Sequence, residues 1–124
     1  MYLKANLLKG DGELERGQRR QYSRAKIEWP VSISTNRDSM ERATLNVSPA
    51  GAFISSRNLL DKYEIFDLII STPDRHIKTT AEVIWSNSHD ASLLDIPHGM
   101  GVRFLRIQDS DRDYLKDVVS EYNK

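Results

Sequence analysis

Apolar and polar residues alternate along much of the chain, with the period of β-strands that bury one face. The first such stretch spans residues 25–33, and its apolar positions are Ala25, Ile27, Trp29, Val31 and Ile33. Pro30 lies among the polar positions, and because proline cannot donate to a ladder it indicates an edge or a bulge. The pattern predicts a first strand that begins at Ala25.

Five further stretches have strand character and are separated by turn residues: MERATLNV, GAFISS, YEIFDLIIS, HIKTTAEVIW and MGVRFLRI. The alternation of HIKTTAEVIW places Trp85 on the apolar side, which predicts a core tryptophan, with stacking on a nucleotide base as the alternative. The long polar segment that follows, residues 86–99, has a length that is usually functional or mobile.

The last segment, QDSDRDYLKDVVSEYNK, has a helical period instead. Asp109 and Ser110 provide a capping signal and the start of an acidic first turn. One amphipathic helix of this length is marginal alone, so it must pack on the sheet. Short strands followed by one helix predict an all-β fold, a six-stranded antiparallel β-barrel or a sandwich, with a C-terminal α-helix.

Length and composition fit one globular domain, since the chain has 124 residues, of which 39% are hydrophobic and 29% are charged. Residues 1–18 combine glycines with mixed charge and predict a flexible N-terminal arm, which leaves 19–124 as the domain. No apolar run is long enough for a bilayer, and no secretion signal is present, so we expect no membrane insertion. The lack of cysteine excludes disulfides and agrees with a cytoplasmic location.

The charges balance, with 18 lysines plus arginines against 18 aspartates plus glutamates. Proteins that bind nucleic-acid backbones usually carry a basic excess, so we expect no nucleic-acid partner. Four arginines nevertheless cluster in and just before GQRRQYSR: Arg16, Arg19, Arg20 and Arg24. Such a cluster indicates a small, specific anion, or else a solvated arm.

The sequence contains no recognisable catalytic or cofactor-binding pattern. Four residues of the polar segment are of types that can bind a metal: His89, Asp90, Asp95 and His98. Their spacing matches no known ligand set, so we expect no metal. Ser48 cannot belong to a nucleophile elbow, because Asn46 stands where glycine is needed. We therefore expect a protein that is not an enzyme and has no cofactor.

NVSPAG, which contains Asn46, Ser48 and Gly51, is by itself compatible with a plain turn. Together with RQYSR, however, it gives the pair of patterns R-x-x-x-R and N-x-S-x-x-G, and the chain then resembles the PilZ family of bacterial cyclic di-GMP receptors. The stretches GAFI, AEVIW and GMGVRF extend the likeness. The resemblance implies a six-stranded antiparallel barrel with a C-terminal helix.

The resemblance also implies roles for individual residues. Arg20 and Arg24 would clasp guanine and phosphate, for which the planar guanidinium is suited. Asn46 and Ser48 would meet a guanine edge, and Gly51 would hold the turn. Asparagine replaces the commoner aspartate of the family, and the missing charge predicts weaker binding.

Arg19 stands next to the first motif, where an arginine in the family often accompanies binding of an intercalated ligand dimer. We therefore include Arg19 among the ligand-binding residues, whereas Arg16 is expected to be solvated. Arg103 could face either the site or the solvent.

The leading hypothesis is a receptor in which cyclic di-GMP orders the N-terminal arm and thereby changes the surface offered to an effector protein. One alternative is a PilZ-like adaptor with weak or no ligand binding. Another is a small β-barrel that binds single-stranded nucleic acid through exposed aromatic residues.

Overall fold

The computed structural model describes residues 23–58, 60–87 and 98–124. Within these residues, six strands and one helix follow one another: β1 (Pro30–Ser34), β2 (Ser39–Val47), β3 (Gly51–Ser55), β4 (Ile65–Ser71), β5 (His76–Ser86), β6 (Gly99–Arg106) and α1 (Asp109–Tyr122). All paired strands are antiparallel, and the sheet closes in the order β1-β2-β3-β6-β5-β4. The predicted barrel with a C-terminal helix is confirmed.

Several sequence predictions fall outside the described residues. These are the flexible arm at 1–18, the arginines Arg16, Arg19 and Arg20, and the loop residues His89, Asp90 and Asp95. In the part of the chain that the structure describes, no helix is long and apolar enough to cross a membrane.

The barrel interior is filled by the apolar residues that alternate along the strands. Ile33, Ile54, Ile70, Ile77 and Met100 are fully buried there, and Leu115 and Val119 of α1 join the same cluster. The helix therefore buries its apolar face against the barrel, as the sequence predicts for a helix that would be marginal alone.

The first strand begins at Pro30 and not at Ala25. The alternation in burial does extend back to Ala25, but that residue forms only an isolated bridge with Val47. Trp29 bonds instead to Thr44, whose N–H donates to the Trp29 carbonyl and whose Oγ1 accepts from the Trp29 N–H, both over 2.9 Å. Pro30 pairs with β2 as the first residue of β1, and pairing with β4 starts one residue later, so no ladder donor is missing.

The predicted cap at Asp109 and Ser110 is wrong, because the N-cap residue is Gln108 and its side chain makes no capping bond. The first turns of α1 are held instead by the connection between β4 and β5. Arg75 Nη1 donates to Asp111 Oδ1 over 3.2 Å, and the Tyr114 hydroxyl donates to Asp74 Oδ2 over 2.7 Å. At the other end of the helix, Asn123 Nδ2 donates to the Arg24 carbonyl over 3.1 Å.

Candidate ligand-binding site

The NVSPAG motif forms the turn that joins β2 to β3. The Ser48 N–H donates to the Gly51 carbonyl over 2.9 Å. The Ser48 Oγ accepts from the N–H groups of Ala50 and Gly51, each over 3.2 Å, and the residue is only 6% exposed. These hydrogen bonds of the serine hydroxyl stabilise the turn to which Ser48 belongs.

Gly51 lets two strands approach closely. A Cβ atom at Gly51 would lie 2.2 Å from the Val102 carbonyl oxygen and 3.2 Å from Arg103 Cα. Both obstacles are backbone atoms of β6, which cannot move aside as a side chain would. The need for glycine therefore comes from this close approach.

A β-bulge decides where Asn46 points. Thr44 pairs with Ile54 and Asn46 pairs with Phe53, so Leu45 is the extra residue between the two pairs. Strict alternation would place Asn46 on the same face as the fully buried Thr44. Because the bulge shifts the alternation by one residue, Val47 becomes the buried neighbour and Asn46 reaches the outer face.

Arg24 reaches Asn46 from the segment before β1. Its Nη1 donates to Asn46 Oδ1 over 3.1 Å. The backbone beside it is fixed, since Ala25 and Val47 exchange two N–H to carbonyl bonds of 2.9 Å each. One hydrogen bond thus joins R-x-x-x-R to N-x-S-x-x-G, which the sequence separates by 22 residues.

A second bulge, at Ile84, overturns the prediction that Trp85 is a core residue. Val83 pairs with Val102 inside the barrel, whereas Trp85 pairs with Gly101 on the outside. Trp85 is 40% exposed as a result. Its ring lies over Gly101, where an added Cβ would meet the indole Nε1 at 2.2 Å. The small residue provides the room for the indole.

Asn46 and Trp85 belong to one cross-strand row on the outer face of the barrel. The row runs from Asn46 on β2 through Phe53 and Gly101 to Trp85 on β5. The Phe53 and Trp85 rings are stacked, with centroids 5.1 Å apart and an interplanar angle of 10°. We call this row the Asn46–Trp85 row.

An open pocket of about 460 Å³ adjoins Arg24 on the helix side. Ser23 and Pro49 line one part of it, and the rest is lined by the C-terminal half of α1 and the two residues after it: Lys116, Val119, Ser120, Asn123 and Lys124. Its volume lies within the range of small-molecule sites, about 300–1,000 Å³. Pro49 places this pocket beside the second motif.

Of the predicted site residues, the structure brings together Arg24, Asn46, Ser48 and Gly51. Arg19 and Arg20 lie outside the described residues, so their roles stay predictions. Sequence alternation alone missed the outward position of Trp85, although the glycines of GMG were a signal that a side chain packs over β6. Among the described residues, no three potential metal ligands lie together.

Comparison with known proteins shows which family the chain belongs to. The family model "PilZ domain" matches residues 18–121. No curated protein sequence matches the chain. The structure of the Bacillus subtilis inhibitor of motility (MotI/DgrA) is similar with a TM-score of 0.73 and 24% identity, over 86% of this chain and 51% of that one.

A second similar structure is the PilZ domain of YcgR from Escherichia coli with c-di-GMP. Its TM-score is 0.65 and its identity 13%, over 86% of this chain and 92% of that one. At these identities the similarity concerns the fold, and the chain spans about half the length of the Bacillus protein. The family model, in contrast, covers most of the sequence and includes both motifs, so the chain belongs to the PilZ domain family.

Proposed function

We propose that this protein is a cytoplasmic, non-enzymatic receptor for cyclic di-GMP. The hydrogen bond between Arg24 and Asn46 carries the proposal, because it joins the two motifs at one surface of the barrel. PilZ domains as a family bind this nucleotide and partner proteins. The YcgR domain with c-di-GMP has the same fold.

Arg24 and Asn46 supply the polar contacts of the proposed site. A guanidinium presents paired donors that suit both phosphate oxygens and the O6/N7 edge of guanine. Asn46 uses Oδ1 to hold Arg24, and its Nδ2 has no hydrogen-bond partner among the described residues. The amide therefore offers donors to the ligand while it orients the arginine.

Trp85 offers the apolar part of the same surface. It lies in the Asn46–Trp85 row, and its exposed ring can stack on a guanine base. Base stacking on an aromatic side chain contributes about 1–3 kcal/mol. Ser48, through its bonds within the turn, would hold the backbone in place for the ligand, in addition to any contact of its own.

Arg19 and Arg20 complete the proposed site from the N-terminal arm. Arg20 would clasp the ligand together with Arg24, and Arg19 would supply the further positive charge that an intercalated ligand dimer needs. Ordering of this arm on the ligand would be the output, read by an effector protein. A reliable stoichiometry for the wild type and for Arg19→Ala tests the dimer, since only the wild type should take up two ligands per site.

Calorimetric titration with cyclic di-GMP tests the function. Arg24→Ala and Arg20→Ala each remove a charge-assisted contact of about 1.5–3 kcal/mol, which corresponds to about ten- to a hundredfold weaker binding. Arg37→Ala is a matched control. Arg37 lies just before β2, at the end of the strand opposite Asn46, and pairs with Glu64 over 3.4 Å. Its substitution is expected to leave the affinity unchanged. Unchanged affinity in both site variants would contradict the assigned roles.

Tryptophan fluorescence provides a second observable for the same titration. The protein has two tryptophans, and Trp29 is buried in the core whereas Trp85 is exposed. Ligand stacking should quench the emission of Trp85, and Trp85→Phe should abolish the change. A signal that persists in Trp85→Phe would argue against stacking on this residue.

Two other functions make different predictions. A PilZ adaptor that works only through protein contacts would give no heat with micromolar ligand. A barrel that binds single-stranded nucleic acid is favoured by the same exposed Trp85, and would shift mixed oligonucleotides in a gel with steep salt dependence. The absence of a shift together with measurable heat would support the receptor.

A further inference from the structure

Arg103 of β6 lies on the same outer surface as the proposed ligand contacts. Met100 and Val102 are buried inside the barrel, so Arg103 points outward with Gly101. In the register of the sheet, Arg103 pairs directly with Gly51, the last residue of the second motif. The glycine presents no side chain between Arg103 and the turn.

Glu82 holds the Arg103 side chain in place. Arg103 Nε donates to Glu82 Oε1 over 2.7 Å, and Glu82 is the pairing residue on β5. The carboxylate side chain is 16% exposed and the arginine side chain 59%. Exposed ion pairs contribute little stability, typically about 0–1 kcal/mol. The pair therefore matters more for where it places the guanidinium than for the fold.

The outer edge of this guanidinium is available to a ligand. Only Nε engages Glu82, and within residues 23–58, 60–87 and 98–124 the two terminal nitrogens have no hydrogen-bond partner. Three of the five N–H donors of an arginine remain usable even if one terminal donor faces away. They can reach two acceptor atoms side by side.

Arg103 and Arg24 lie on opposite sides of the motif surface. β3 separates β2 from β6 in the barrel, and neighbouring strands are about 4.8 Å apart. Arg103 is thus about 10 Å across the sheet from the strand of Asn46, while Arg24 approaches Asn46 from the other side. A ligand seated on Asn46 and Gly51 would lie between two arginines.

We infer that Arg103 is a further ligand-binding residue, positioned by Glu82, and that it contacts a pair of acceptor atoms on the nucleotide. This inference rests on the proposed cyclic di-GMP function. The acceptors are either the oxygens of a phosphate or the O6 and N7 atoms of guanine, both of which match the arginine fork.

Calorimetry of Arg103→Ala tests the inference. We expect binding at least about tenfold weaker than wild type, the loss of one charge-assisted contact. Arg106→Ala is the matched control: it removes an exposed arginine from the same strand, opposite Thr80 and away from Gly51, and should leave the affinity unchanged. Equal melting temperatures of the two variants would show that the loss comes from the contact and not from the fold.

Arg103→Lys distinguishes the two acceptor sources. Lysine keeps the charge but not the planar fork. Retained affinity would assign Arg103 to a phosphate, and a loss equal to that of Arg103→Ala would assign it to the guanine edge.

Glu82→Gln tests the positioning role. We expect Glu82→Gln to weaken binding when it is introduced into the wild type and to have no further effect when it is added to Arg103→Ala. The effects of two substitutions are non-additive when one residue acts through the other. If the wild type binds cyclic di-GMP and the affinities of Arg103→Ala and Arg106→Ala are equal, the inference is overturned and the receptor function still stands. A wild-type protein that binds no cyclic di-GMP would overturn both.

Discussion

The guanidinium of Arg24 and the amide of Asn46 meet over 3.1 Å at the outer surface of the barrel. The contact depends on two backbone features, the bridge between Ala25 and Val47 and the bulge at Leu45. Neither feature involves a charged residue, yet together they determine which way the two polar side chains point.

Asn46→Asp is expected to bind cyclic di-GMP more tightly. A carboxylate would pair with Arg24 and still accept from guanine N–H groups, and hydrogen bonds to charged groups are about twice as strong as neutral ones. We expect a gain of about 1 kcal/mol, or roughly fivefold in affinity. Calorimetry of the variant and of Asn46→Ala measures it. An Asp variant that binds no better than wild type would show that the carboxylate remains engaged with Arg24 at the expense of the ligand.

Gly51→Ala is expected to destabilise the protein more than Gly101→Ala. The added methyl at Gly51 meets the Val102 carbonyl oxygen, a backbone atom, and overpacking of this kind costs about 1–3 kcal/mol. At Gly101 it meets the indole of Trp85, which can swing into solvent and lose only its stack on Phe53, worth about 0.5–1.5 kcal/mol.

Urea denaturation measures both glycine variants. Gly101→Ala should also change the tryptophan emission, because it moves Trp85, whereas Gly51→Ala should leave the emission of the folded state unchanged. Equal destabilisation by the two substitutions would contradict the distinction between a backbone and a side-chain obstacle.

Sequence alternation predicted the strands and the helix, since most apolar positions of β1, β4 and β5 do face the core. It failed where an extra residue shifts the period. The bulges at Leu45 and Ile84 have no local signature, and they decide that Asn46 and Trp85 share the outer face. Cross-strand pairing determines these bulges, and a single strand contains no information about its partner.

The motif residues could be found from the sequence because their identities and spacing are distinctive, whereas the contacts between them could not. Ser48 is buried with its hydroxyl bonded within its own turn, and the pairing of Arg103 with Gly51 follows from how β6 lies beside β3. The position of Tyr63 was also unpredictable. YEIFDLIIS suggested a strand from that residue, but Tyr63 has a φ of 73° and β4 begins at Ile65.

Tyr114→Phe is expected to reduce the loss of stability at alkaline pH. Burial of the hydroxyl raises the pKa of Tyr114 above its usual value, and its contact with Asp74 acts in the same direction. Since the folded state favours the protonated phenol, its contribution is fully present below about pH 10, the unfolded pKa, and is lost as the pH rises through the higher folded pKa.

Urea denaturation at pH 8 and at about pH 10.5 tests the role of Tyr114. Every other titratable side chain is the same in Tyr114→Phe, so the difference between the two proteins isolates the tyrosine. Identical alkaline losses in wild type and variant would show that Tyr114 does not contribute to the pH dependence.

Thr44→Val is expected to be among the most destabilising conservative substitutions in the barrel. Thr44 is fully buried, its hydroxyl donates to the Ile27 carbonyl over 2.6 Å, and the same oxygen accepts from the Trp29 N–H over 2.9 Å. Valine has a similar shape but leaves both backbone groups without a partner, at about 1–3 kcal/mol for each buried group. The segment between Arg24 and β1 would lose the contacts that hold it against β2.

Thr44→Ser is the matched control, because it keeps the hydroxyl and removes one methyl. Urea denaturation should place the serine variant closer to wild type than the valine variant. Amide exchange of Trp29 should accelerate in Thr44→Val alone, since only that variant removes its acceptor. A valine variant as stable as the serine variant would mean that water satisfies the Ile27 and Trp29 groups, and that this hydroxyl does not anchor the segment carrying Arg24.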